Sequence, residues 1–184
     1  PATGTQLGTV PACGTAETAR AIAAAARAWP AWRAMTALQR ADIMLRWRDL
    51  IMQNQDDLAK LMTLEQGKPL PEARGEIGFA CSFLRWFAEE ARRMYGDIVP
   101  APWPGKRILV TREPVGVVGI ITPWNFPTAM IGRKVGAAFA AGCPVVIKPA
   151  SQTPYSALAL AGLAEQAGVP KGVFNVITGS AREI

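Results

Sequence analysis

Two polar side chains stand where apolar runs end. Asn125 lies just past Val117-Val118-Gly119-Ile120-Ile121, and Lys148 terminates Val145-Val146-Ile147. A carboxamide can donate to an oxygen that gains negative charge as a carbonyl is attacked. An ammonium holds a ribose hydroxyl or a phosphate as a point charge. Eight residues after Asn125 comes Arg133, whose guanidinium can grip a carboxylate through two parallel hydrogen bonds. Three residues after Lys148 comes Ser151, small and neutral. Together these types suit the meeting of a phosphorylated cofactor with a carbonyl substrate that carries an acid at its far end. Each also has a plainer reading. Asn125 is a good helix N-cap, Arg133 could pair with a surface acid, and Lys148 could be a solvated strand terminus.

The segments between them say how these groups are held. Residues 115–121 read as a buried strand, Pro123 to Pro127 as a turn, and 127–141 as a helix. Pro127 suits the first helical turn and Gly142 the left-handed position past the last one. Residues 145–147 form a second buried strand, 154–167 a helix capped by Thr153 and closed by Gly168, and 173–177 a third strand. This is a βαβαβ unit with parallel strands and right-handed crossovers. Ligands of open parallel sheets bind beyond the carboxyl ends of the strands, so Asn125, Lys148 and the turn Thr178-Gly179-Ser180 are expected over one crevice. On a helical count, Asn125, Ala129 and Arg133 share a face and differ by about 12 Å along its axis. Helical side chains lean toward the N-terminus, so Arg133 reaches back along that face, and the remaining gap suits a four- or five-carbon chain, with Phe126 and Met130 along it or in ordinary core.

Upstream the chain is mostly helical. Residues 15–28 are Ala-rich with Thr15 as a candidate cap, and Thr36 with Gln39 forms a capping box ahead of 37–53. A helix over 55–66 starts behind Asn54 and ends at Gly67, and another covers 71–95 before Gly96. In the latter, Ile77, Ala80, Cys81, Leu84, Phe87, Ala88 and Ala91 make one buried stripe. Residues 106–113 alternate like a strand with one wet face, at a sheet edge or paired away from it.

Bulk properties narrow the classes. A chain of 184 residues with 50% hydrophobic and 18% charged residues is globular. No apolar run reaches a membrane span, so no membrane partner is expected. Net charge is +6, but the basic residues are dispersed, which argues against nucleic acid. Three scattered cysteines, Cys13, Cys81 and Cys143, favour free thiols and a cytoplasmic setting. With no histidine there is no Cys/His nucleophile pair, and no metal site is expected. Cys81 and Cys143 read as core residues. No GxGxxG occurs, which counts against an ordinary dinucleotide fold.

Thr122-Pro123-Trp124-Asn125-Phe126-Pro127, followed by Lys148-Pro149-Ala150-Ser151-Gln152-Thr153-Pro154, resembles the aldehyde dehydrogenase superfamily, nearest its succinate-semialdehyde branch. The resemblance covers essentially the whole chain. It implies that Asn125 holds the thiohemiacetal oxygen and that Ile121, Thr122, Pro123 and Trp124 wall the cofactor, Trp124 being open also to a packing role. It implies that Lys148, Pro149, Ala150 and Ser151 bind the adenosine end, and that Arg133 anchors a semialdehyde carboxylate. Ser151 stands where an acidic residue would repel a 2′-phosphate, so NADP is expected, with NAD possible. Succinate semialdehyde is the favoured substrate and glutarate semialdehyde the next. The implied fold is α/β, with residues 1–105 a helical section and 106–184 a Rossmann-like βαβαβ section of one NAD(P)-binding domain. The nucleophilic Cys, the base Glu and the catalytic domain are expected in sequence beyond residue 184, and the full enzyme as a homo-oligomer. The alternative is a noncatalytic cofactor-binding or structural segment.

Overall fold

The computed structural model describes residues 1–184. Four helices come first: α1 (Thr15–Ala34), α2 (Ala37–Gln53), α3 (Gln55–Gln66) and α4 (Leu70–Glu90), the last followed by a 3-10 turn, Ala91–Arg93. A hairpin of β1 (Asp97–Val99) and β2 (Ile108–Val110) follows, and then the alternating run β3 (Val118–Ile121), α5 (Ala129–Ala140), β4 (Val145–Lys148), α6 (Pro154–Gln166) and β5 (Phe174–Val176). The three-stranded sheet is parallel, in the order β3-β4-β5, with Ile121 opposite Lys148. The expected βαβαβ unit and the helical section ahead of it are both present.

Burial follows strand order. Central β4 is buried along its whole length, whereas β3 is an edge strand that buries only Ile120 and leaves Ile121 78% exposed. The expected buried strand over 115–121 is thus shorter and wetter, and Val115 lies in solvent. Hairpin β1–β2 is antiparallel and exposed on both faces, so the segment over 106–113 pairs away from the sheet rather than at its edge.

Helix α1 runs through Pro30 to Ala34, beyond the predicted end at residue 28. Tertiary packing outweighs the lost backbone bond, because Trp32 is fully buried edge-on against Phe139, 5.3 Å between ring centres. Trp47 and Phe174 complete this aromatic cluster, and Trp47 Nε1 donates to the Leu160 carbonyl at 3.0 Å. The cap of α1 is Gly14 rather than Thr15, its N–H bonded to Glu17 Oε2 at 2.9 Å. Thr36 and Gln39 do form their capping box. Asn54 does not cap α3; its Nδ2 donates back to the Leu50 carbonyl of α2.

The ends of α5 and α6 are closed by the helical section. At the start of α5, Glu76 Oε1 of α4 accepts from the N–H groups of Thr128 (2.8 Å) and Ala129 (3.1 Å). At its end, Arg40 of α2 donates to the Ala140 carbonyl at 3.2 Å. For α6, Glu65 of α3 accepts from the N–H groups of Tyr155 and Ser156, both 2.9 Å, and Arg46 donates to the Ala167 carbonyl at 3.1 Å. Acids sit at both N-termini and bases at both C-termini, as the helix dipole favours. The Thr153 hydroxyl, expected as a cap, makes no hydrogen bond. Burial raises the Glu65 carboxyl above the usual range, against the hydrogen bonds from Ser156 and Tyr155.

Close approach of α4 and α5 depends on Gly132. A Cβ there would stand 2.8 Å from the Ala80 carbonyl oxygen, inside contact distance. Gly142 ends the α5 segment with φ of +82°, as its position predicts.

Candidate active site

Beyond β3 the chain turns through Thr122–Thr128 and presents Asn125 at the surface. The Asn125 carboxamide makes no hydrogen bond within the chain, so both its donors are free for a ligand. Its backbone carbonyl is held from outside: Lys68 Nζ donates to it at 2.8 Å and Gln66 Nε2 at 3.4 Å. Asn125 is not the N-cap of α5, since that helix begins at Ala129 and its first N–H groups belong to Glu76. For the same reason Asn125, Ala129 and Arg133 are not one helical face, and the positive end of α5 is already met by a carboxylate rather than free behind Asn125.

Asn125 and Phe126 line a cleft of about 510 Å³ with Lys68, Glu72, Gly75, Glu76 and Phe79. Lys68 sits over the Phe126 ring at 4.2 Å and pairs with Glu76. Arg133 and Met130 are not part of the cleft lining. Arg133 is exposed, has no acidic partner, and lies over the Phe83 ring at 5.9 Å. Phe83 in turn packs on Phe79, 4.6 Å between centres. An aromatic path on one face of α4 therefore connects the cleft to an uncommitted guanidinium. Met130 is half-buried at the start of α5.

Lys148 faces elsewhere. Its side chain is mostly buried, with Nζ bonded only to the Pro149 carbonyl at 3.2 Å, and it lines a pocket of about 360 Å³ with Ile121, Gly119, Val146 and Ile177. The next pocket along the chain, about 270 Å³, is lined by Pro149, Ala150, Ser151 and the turn Thr178-Gly179-Ser180. Neither contains a carboxylate. Thr122 continues the β3–β4 pairing by donating to the Lys148 carbonyl at 3.2 Å, while Pro123 and Trp124 are exposed on the turn. Thr122, Pro123 and Trp124 line neither pocket.

Asn125 and Lys148, expected over one crevice, line different concavities of this chain. Their strands end side by side, but the three residues after Ile121 carry Asn125 into a separate concavity, toward α3 and α4. Sequence reasoning also missed Lys68, Glu72, Glu76 and Phe79. One signal was present: Glu76 lies three residues after Ala73 and four before Ala80, a charge on the buried stripe of α4, and it is only 3% exposed.

Burial pushes Cys81 up to about 12, Cys143 is buried, and Cys13 is half-buried. No cluster of metal-ligating side chains occurs, and no helix is long and apolar enough to cross a membrane.

The parallel βαβαβ sheet, preceded by its helical section, makes this an α/β chain of Rossmann-like type, and comparison with known proteins identifies its family. The aldehyde dehydrogenase family matches residues 1–184, and the chain belongs to that family. It is 66% identical over 184 residues to glutarate-semialdehyde dehydrogenase of Pseudomonas aeruginosa, covering 100% of this chain and 38% of that protein. It is 64% identical over 181 residues to the NADP(+)-linked succinate-semialdehyde dehydrogenase GabD of Escherichia coli K12, covering 98% of this chain and 38% of that protein. The crystal structure of an E. coli NADP-dependent enzyme superposes with a TM-score of 0.98 at 63% identity, over 99% of this chain and 38% of that one. The chain thus spans little more than a third of the length of these relatives.

Proposed function

We propose that this chain is the amino-terminal, cofactor-binding part of an NADP-preferring dehydrogenase that oxidises a short semialdehyde, succinate or glutarate semialdehyde, to the dicarboxylic acid. Both substrates pair an aldehyde with a terminal carboxylate, as do those named for the two relatives. The observation that carries the reading is the unpaired Arg133, joined by the Phe83 and Phe79 rings to the cleft that holds the free Asn125 carboxamide. Asn125 donates to the oxygen that becomes negative when the aldehyde carbon is attacked, and Arg133 holds the distant carboxylate and so selects the substrate.

The strand-tip pockets suit a phosphorylated ribose. Lys148 supplies an ammonium with one backbone partner, Ser151 a free hydroxyl, and no lining acid repels a 2′-phosphate. The bound cofactor would supply the hydride acceptor. The attacking thiolate and the base that activates water are proposed to come from the rest of a longer protein, since Cys81 and Cys143 are buried here and Cys13 is half-buried away from the Asn125 cleft lining. Residues 1–105 and 106–184 act as one cofactor-binding domain, because the first section closes the helix ends of the second. A reducing cytoplasmic setting agrees with three free cysteines, and the exposed apolar hairpin suits assembly as a homo-oligomer.

The test is a steady-state assay of the full-length enzyme. Succinate or glutarate semialdehyde with NADP should give a higher kcat/KM than an uncharged aldehyde of equal length. No reduction of NADP or NAD by any of these aldehydes would sink the proposal.

A further inference from the structure

We infer that the buried Lys68–Glu76 pair is a positioning device for the Asn125 carboxamide, which deepens the reading of Asn125 as the oxyanion donor and rests on it. A buried ion pair adds little net stability, because desolvating two charges offsets their attraction. A local side-chain cap could close α5, yet Thr128 makes no such bond. The pair therefore does something that packing and local capping do not.

Its bonds converge on the turn that bears Asn125. Glu76 Oε1 holds the N–H groups of Thr128 and Ala129, its other oxygen takes Lys68, and Lys68 Nζ donates to the Asn125 carbonyl at 2.8 Å. The same ammonium lies 4.2 Å over the Phe126 ring. Every side-chain bond to residues 124–129 comes from Gln66, Lys68 or Glu76. All of them grip backbone, which leaves the carboxamide free while fixing the peptide from which it projects. Both charges are neutralised within the pair, so the turn is fixed without adding a net charge beside the reacting oxygen. A donor must be held to within a fraction of an ångström of its working place, and misplacement by about 1 Å can cost about a hundredfold in rate.

The experiment is a double-mutant cycle in the full-length enzyme, with kcat, both KM values and Tm measured for each variant. Lys68→Met should lower kcat roughly tenfold to a hundredfold while leaving the KM for NADP unchanged. Lys68→Arg, which keeps charge and donors, should restore most of the loss, and Lys68→Gln, with a neutral donor, should fall between. In an Asn125→Ala background Lys68→Met should have no further effect on kcat, because its influence passes through the missing carboxamide. An equal loss in both backgrounds, or an unchanged kcat in Lys68→Met and Lys68→Gln, overturns the inference. Should Asn125→Ala itself keep the wild-type kcat, the oxyanion reading fails and this inference with it.

Discussion

The two concavities of this chain are built on opposite principles. The strand-tip pockets around Lys148 and Ser151 take most of their lining from short contiguous runs at the ends of β3, β4 and β5, and they hold no acid. The cleft at Asn125 joins residues 68–79 to residues 125–126, and it brings two carboxylates and an ammonium against two aromatic rings. One kind of site gathers around the sheet, completed by Val10–Ala12 in one pocket and by Thr18 and Ile22 of α1 in the other. The other exists only because α4 docks across α5, which Gly132 permits by letting the Ala80 backbone approach.

That contrast predicts unequal sensitivity. The largest effect belongs to Glu76→Leu, which strands the Lys68 ammonium and uncaps α5. It should destabilise the fold by about 3–5 kcal/mol in urea titration, whereas Lys148→Met should cost clearly less. Equal losses at both places would erase the distinction.

On the substrate side, Arg133→Leu removes a charged hydrogen bond of about 1.5–3 kcal/mol, so kcat/KM for succinate semialdehyde should fall tenfold or more. An uncharged aldehyde should be little affected. Identical losses for the two would take Arg133 out of carboxylate recognition.

On the cofactor side, Ser151→Glu should move preference from NADP toward NAD by about tenfold, as an acid favours the 2′-hydroxyl and repels a 2′-phosphate. Measured as a ratio of kcat/KM values, an unchanged preference would detach Ser151 from the ribose.

The smallest expected effect is a pH slope from Glu65. Its folded pKa is raised by burial, so the folded protein holds that proton more tightly than the unfolded chain. Its contribution is fully present below the ordinary carboxylate value and is lost as pH climbs through the raised one. Chemical denaturation across that window should show stability falling with pH, and Glu65→Gln should flatten the fall.

Particular residues show how much was legible beforehand. The Thr36–Gln39 capping box, the Gly67 and Gly142 terminators and the buried stripe of α4 all appear where the sequence puts them. Each is a local signal, the caps and terminators read within a turn of backbone and the stripe along a single helix. Thr15, Asn54 and Thr153 were expected to cap helices and do not, because Gly14 serves α1, Asn54 closes the preceding helix, and Glu65 occupies the start of α6. Pro30 was expected to lie past the end of α1, and burial of Trp32 carries the helix through it.

The amino-acid sequence by itself determined the alternation of strands and helices, the family motifs at residues 122–127 and 148–154, and the chemistry available to Asn125, Arg133, Lys148 and Ser151. Only the tertiary structure decided which of those groups share a cavity, and it separated Asn125 from Lys148. It also revealed that α5 and α6 are closed by acids and bases some 50 to 120 residues earlier in the chain. The physical reason is range: propensity, capping and periodicity act over a few residues, whereas a buried charge finds its partner only after distant segments have packed.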